Sequence, residues 1–308
     1  MKATITCLIL LMFSTAANAS TQSARPGNII VTIKPLFSLV AHLTEGIQEP
    51  TLLMKQAQSP HHYNMRPSER RLLADASMIV WVGPQMETYL SKVIQQHTSI
   101  EVRVLQAKGI HLHAMRKTDE HQPQHEHVHD ASHSDQHEQN LDPHIWLSTS
   151  NAIAISKHIA EQLILNEPSH SEKYKDNLEK LIKKISQTAD GASALLKNSK
   201  QPFISYHDAF QYFENEHQLK HVDSIVFNEE TGVSLKQLSH IKSQIKKKNI
   251  QCLVFQQPKP DIINTLTDQT TIKTAALDPL GLQVKNDKNA WFEIIQQTTL
   301  NFKRCLTP

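Results

Sequence analysis

The chain reads as an α/β protein of two lobes, each built on a mostly parallel sheet, with one long rigid helix between them. Two observations carry this. Short β-rich runs alternate with helical patterns twice along the chain, and such βαβα alternation builds parallel sheets with helices on both faces. Between the two runs, Tyr174, Leu178, Leu181, Ile185, Ala189, Ala192 and Leu195 recur at spacings of three and four, the period of one buried helical stripe.

The elements follow in order. Ile29–Ile33 reads as a strand, followed by a helix over Leu36–Leu43, and Thr51–Met54 as a second strand. Pro67 opens a helix running through Ala74, where the missing N–H of a first-turn proline costs nothing. Met78–Val82 reads as a buried strand, with a helix after Pro84 and another strand at Ile100–Leu105. A helix over Ser148 to Leu165 ends before Pro168, and the long helix runs from Ser171 to about Lys197, roughly 40 Å at 1.5 Å per residue. Strands then follow at Phe203–Tyr206, Val222–Phe227, Cys252–Phe255 and Thr274–Leu277, with helices over 208–216, 234–248, 259–267 and 289–304. The expected organisation is a leader at 1–19, an N-terminal lobe at 20–167 with an insertion at 111–140, a linking helix at 168–199 and a C-terminal lobe at 200–308.

The first nineteen residues read as a secretory signal peptide. Lys2 is followed by an apolar run from Ile5 to Phe13 and by the small residues Ala17-Asn18-Ala19, a pattern too short for a membrane span. The expected compartment is therefore the periplasm. With 32 basic and 30 acidic residues, nothing argues for nucleic acid or an anionic membrane as partner. Cys7 leaves with the leader, so Cys252 and Cys305 remain. An even number in an oxidising compartment reads as a disulfide, with two inert buried thiols as the alternative.

Eight histidines crowd residues 111–137: His111, His113, His121, His125, His127, His129, His133 and His137. Imidazole is the commonest protein ligand for transition metals, and such tracts read as metal-collecting segments. The tract is too polar to offset the entropy of ordering and is expected to be a flexible insertion. Four other candidates stand apart, at places where open α/β sheets bind ligands. His61 follows the second strand, His144 ends the insertion, His207 follows the strand at 203–206, and Asp278 follows the strand at 274–277. Two come from each lobe, so a cleft between the lobes can join them. Taken singly, each has a plainer role: His207 or Asp208 caps the next helix, and Asp278-Pro279 starts a turn. Together they describe a metal site. Three imidazoles favour zinc over manganese or magnesium, with Asp278 or a water as the fourth ligand. Spacing alone leaves His61 and His62 as alternatives.

At these residues the chain resembles the substrate-binding proteins of bacterial zinc and manganese ABC importers, in their zinc-specific branch. The motifs are Ile33-Lys34-Pro35, His61 with Arg66-Pro67-Ser68, Trp81-Val82-Gly83-Pro84, His144-Ile145-Trp146-Leu147-Ser148, His207-Asp208-Ala209 with Tyr212-Phe213, and Leu277-Asp278-Pro279-Leu280-Gly281. The resemblance implies two Rossmann-like lobes bridged by a long helix and one metal in the cleft, held by His61, His144 and His207, with Asp278 at the place of the fourth ligand. His207 in place of a carboxylate, and the histidine-rich insertion, are features of the zinc branch. Pro60 and Gln257 depart from the pattern, each standing where related sequences carry an acidic residue, which leaves the fourth ligand open.

The function implied is capture of Zn2+, as the transported ligand, and delivery to a membrane permease, with the chain acting as a monomer and not as an enzyme. The alternatives are a manganese importer component, a periplasmic metal buffer and, from another class, a zinc hydrolase. Three histidines with an open position also activate water on zinc; the one His-Glu-x-x-His match, His125 to His129, lies within the histidine-rich insertion.

Overall fold

The computed structural model describes residues 27–55, 59–116, 140–226 and 232–307. The expected leader at 1–19, six histidines of the tract (His121, His125, His127, His129, His133 and His137) and Phe227 lie outside the described residues.

The first lobe runs β1 (Ile29–Val31), α1 (Lys34–Leu43), β2 (Thr51–Leu52), α2 (Pro67–Ala74), β3 (Met78–Trp81), α3 (Thr88–Ile94) and β4 (Ile100–Arg103). Its strands pair in parallel in the order β2-β1-β3-β4. After α4 (Thr149–Asn166) and α5 (Ser171–Leu196), the second lobe runs β5 (Phe203–His207), α6 (Gln211–Glu216), β6 (His221–Val226), α7 (Leu235–Lys247), β7 (Cys252–Gln256), α8 (Asp261–Thr267), β8 (Lys273–Leu277) and α9 (Ala290–Leu306). Its order, β6-β5-β7-β8, repeats the first sheet four strands later. The two-lobed parallel α/β architecture expected from the sequence is the one observed.

Both sheets are covered on both faces, so their central strands β1, β3, β5 and β7 are largely apolar, and the two-residue period of a strand sorts side chains between the faces. Ile30, Ile79 and Trp81 face outward, where they pack with Leu73 of α2 and Leu90 of α3. Ile29, Val31, Met78 and Val80 face inward. In the second lobe, Ile204, Leu253 and Phe255 pack outward with Ile241 of α7 and Ile263 of α8, while Phe203, Cys252 and Val254 face inward. The two inward faces share one core with α1, α4, α5 and α9. The C-terminal helix α9 touches α1 of the first lobe as well as α5, β7 and β8. A disulfide joins Cys252 of β7 to Cys305 of α9. No helix among the described residues is long and apolar enough to cross a membrane.

Several boundaries differ from the sequence reading. The buried stripe of α5 is Tyr174, Asn177, Leu181, Ile185, Ala192 and Leu196, while Leu195 is 38% exposed. From Ala192 a step of four returns to the same face of the helix, and the step of three to Leu195 falls on its flank. Asn177 donates from Nδ2 to the carbonyls of Leu43 and Glu45, tying α5 to the end of α1. The strand expected at 100–105 ends at Arg103 and passes into a 3-10 turn over Val104–Gln106. The helix expected from 208 begins at Gln211, because Asp208 is drawn sideways to Arg116 and caps nothing.

Candidate metal centre

Three of the four candidates converge. One ligand atom each from His61, His144 and His207 lies within 4.8 Å of the others. Ring centroids are 5.3 Å apart for His144 and His207, 5.6 Å for His61 and His144, and 6.2 Å for His61 and His207. Nitrogens sharing one tetrahedral zinc stand roughly 3.3 Å apart, so the three rings need only draw together modestly to hold an ion. His144 and His207 are each 5% exposed, and His61 is half-buried.

Each histidine is set by its own local chemistry. His61 sits in a 3-10 turn over Pro60–His62, and its backbone N–H donates to Ser59 Oγ at the turn's N-cap. Pro60 is well placed there, since a first-turn proline gives up no needed N–H. His207 is the last residue of β5 and points from the carboxyl end of that strand. His144 caps the 3-10 turn Ile145–Leu147. The Asp142 carboxylate accepts from its backbone N–H at 3.0 Å and from Nδ1 at 2.8 Å. A carboxylate at Nδ1 fixes ring and tautomer and leaves Nε2 for a cation.

Long-range contacts hold this segment against the second lobe. The Glu216 carboxylate accepts from Ser148 Oγ, Thr149 N and Thr149 Oγ1, at the N-terminus of α4 where the helix dipole favours an anion. Trp146 Nε1 donates to the Pro279 carbonyl at 2.7 Å, and Trp291 Nε1 donates to the Trp146 carbonyl at 2.8 Å.

Asp278 stands outside the histidine cluster. It follows β8, its Oδ2 accepts from Gln283 N at 3.0 Å, and it lines a cavity of about 270 Å³ together with Gln256, Gln257 and Gln283. Lys34 lies nearby and donates to the carbonyls of Gly281 and Val284. Burial pulls its ammonium below the usual lysine range, and Asp278 opposes that. Gly281 turns this loop at φ +67, and a Cβ there would stand 2.6 Å from Ile294 Cδ1, so both the backbone and α9 require glycine.

Behind His207 lies a group that the sequence did not reveal. Arg116 donates to Asp208 Oδ1 at 2.6 Å and to Glu214 Oε2 at 2.5 Å. Glu214 is 1% exposed. Burial pushes its carboxyl up to about 8, with Arg116 opposing, and burial likewise raises Asp208. His221 joins these carboxylates in a second possible ligand group, and burial pulls it down to about 3. The guanidinium already serves as the cation for this group.

The two feet of the histidine tract meet at an antiparallel bridge, Ala114 to Leu141. Tyr212 Oη accepts from His113 N and donates to the Asp142 carbonyl, and Asn151 holds both the N–H and the carbonyl of His111. Of the eight tract histidines, His111 and His113 are thus placed close to the site's wall. Asp142 carried a legible signal in its spacing two residues before His144. Gln256, whose Nε2 lies 3.2 Å from His207 Nδ1, carried none.

Two like lobes that present the carboxyl ends of their strands to a shared, histidine-lined cleft define a class, the two-lobed α/β binding proteins. Within it, the chain belongs to the family described as zinc-uptake complex component A, periplasmic, whose model matches residues 29–305. It is 31% identical over 331 aligned positions to the high-affinity zinc uptake system protein ZnuA of Haemophilus ducreyi, covering 99% of each chain. Against the protein of that name from Yersinia pestis it is 28% identical over 289 positions, covering 90% of this chain and 91% of the other. A crystal structure of ZnuA matches at TM-score 0.76 and 19% identity, covering 91% of this chain and 99% of that one. A mutant of the laminin-binding adhesin from Streptococcus agalactiae matches at TM-score 0.75 and 16% identity, covering 92% and 100%. At such identities the structural likeness speaks to the fold.

Proposed function

We propose that this chain captures zinc in the periplasm and hands it to the membrane permease of an ABC importer. The observation that carries this reading is the convergence of His61, His144 and His207 from separate loops at the carboxyl ends of both sheets. In this reading the three histidines are the zinc ligands, and Asp278 or a water completes the set. Neutral imidazoles suit zinc better than the harder manganese, and the Asp142 carboxylate behind His144 strengthens its ring as a donor. The family's membership of a zinc-uptake complex and the zinc-uptake names of its relatives support the same conclusion. The lobe boundaries near 167 and 199, and action as a monomer, complete the proposal.

The site is assigned no catalytic step. Its work is to bind and to surrender a cation, and the buried carboxylates around it serve to hold rings and balance charge. The test is a zinc titration of the full chain with manganese as competitor. One tight zinc that excess manganese does not displace, and that disappears in His207→Ala, supports the reading. Tight binding that survives His207→Ala but is lost when His121, His125, His127, His129, His133 and His137 are changed to asparagine would make the tract the true site and the protein a metal buffer.

A further inference from the structure

One lysine stands where its own helix gives a cation no reason to be. Lys34 is the first residue of α1, with Ile33 at the N-cap, and the partial positive charge of a helix N-terminus disfavours an ammonium. It is also half-buried. What holds it lies in the other lobe. Its Nζ donates to the carbonyls of Gly281 and Val284, the second at 2.6 Å, and the Asp278 carboxylate attracts it. All three acceptors belong to the loop between β8 and α9. That loop is also bonded to itself. Val284 N donates to the Gly281 carbonyl at 3.0 Å, and Gln283 N donates to Asp278 Oδ2 at 3.0 Å. Four residues on, along the same face of α1, Ser38 Oγ donates to the Lys288 carbonyl at 2.6 Å. Asp278, retained in this way, stands outside the histidine cluster.

Building on the zinc-capture reading above, we propose that Lys34 is a positioning residue that holds Asp278 back from the metal and leaves the fourth place at the three histidines to water. The ammonium acts in two ways. It fixes the carbonyls on either side of Gln283, whose N–H holds the carboxylate. It also offers Asp278 a fixed positive charge in competition with a captured cation. A carboxylate added to three imidazoles would complete the closed, four-ligand set of a structural zinc site and slow the ion's departure. Water in that place leaves the set open, which suits a protein whose work is to surrender its cargo. Lys34 thereby trades affinity for release.

The test measures zinc affinity by chelator competition, and zinc dissociation with excess chelator as trap, in the wild-type chain, Lys34→Met, Asp278→Asn and the double substitution. Methionine keeps an unbranched stem of similar length and removes the charge and the donors. Lys34→Met should bind zinc roughly tenfold more tightly, the low end of the range by which outer partners change metal affinity, and release it correspondingly more slowly. Asp278→Asn should bind as wild type does, and in that background Lys34→Met should bring no gain. Damage to a merely structural contact would weaken the site, so tightening that depends on Asp278 is the signature of a restraint. Unchanged or weaker binding in Lys34→Met would overturn the inference. So would an equal gain in both backgrounds, which would reduce Lys34 to a nearby positive charge. Marked weakening in Asp278→Asn alone would overturn it as well, because Asp278 would then already be a ligand. Lys34→Gln, which removes the charge and shortens the reach, takes the place of the methionine chain if that chain does not fold. Each of these failures leaves zinc capture by three histidines standing, whereas a wild-type chain without tight zinc would overturn the functional reading itself.

Discussion

Replacing Arg116 with methionine tests the charge arrangement behind the site. The guanidinium bridges Asp208 and Glu214 at 2.6 and 2.5 Å, and their side chains are 6% and 1% exposed. Removing one partner of a buried ion pair costs about 3–5 kcal/mol, because the stranded charge has no water to replace it. Arg116 itself is a quarter exposed, which places the expected loss near about 3 kcal/mol at pH 8. The pH dependence has a definite sign. Burial raises the folded-state pKa of Glu214 to about 8, from the ordinary carboxyl value of 4.5. Its favourable contribution is therefore fully present below about pH 4.5 and is lost as pH rises through about 8. Without Arg116 the carboxyl is pushed higher still and stays neutral, so the variant forgoes the ion pair that wild type gains as Glu214 ionises near pH 8, and its deficit should be larger at pH 8 than at pH 5. Urea unfolding of metal-free wild type and variant at both pH values reads this directly. A loss under about 1 kcal/mol at pH 8, or a deficit that grows on acidification, would refute the reasoning.

Three further outcomes are expected. Asp142→Asn removes the carboxylate from His144 Nδ1 and should weaken zinc binding by roughly tenfold to hundredfold, measured by chelator competition; an unchanged affinity would remove Asp142 from the site. His207→Ala should weaken binding by more than that range, while no single histidine change within 121–137 should match it; comparable losses would sink the distinction between a fixed centre and a loose tract. Replacing Cys252 and Cys305 together with serine opens a loop spanning 53 residues and should cost about 4 kcal/mol by loop entropy, seen as a lower denaturation midpoint, whereas a loss below about 1 kcal/mol would mean that the unfolded chain gains little from the bond.

The architecture was legible because its signals are local. Apolar runs such as Ile29–Val31 and the stretch 252–255 are buried on both faces, and their alternation with helical periods dictates parallel pairing. The candidates His61, His144 and His207 were legible as loop residues after strands or insertions, and the topology alone brings them together. The supporting residues were less so. Gln256 meets His207 only through the register of two strands separated by some fifty residues in sequence. Arg116 meets Asp208 and Glu214 across 92 and 98 positions, and sequence reading gave Asp208 a capping role because nothing nearby announced its partner. The offset between Leu195 and Leu196 is of a smaller kind, the ambiguity of a helix whose period lies between three and four.

The helix α9 and the paired tryptophans bear on the kinetics of exchange. Because α9 packs on α1 and α5 as well as on β7 and β8, and the buried indoles of Trp146 and Trp291 chain the His144 segment to the Pro279 loop, parting the lobes would break contacts of both kinds. Parting them would expose side chains worth about 1.5–3 kcal/mol each and unpair two indole N–H groups. The connections around Ser59–Tyr63 and Asp278–Val284 are anchored too, since Tyr63 and Val284 belong to the shared core and the Pro279 carbonyl holds Trp146. A cation meets a largely pre-shaped site on arrival, and its departure is a matter of movements smaller than a parting of the lobes.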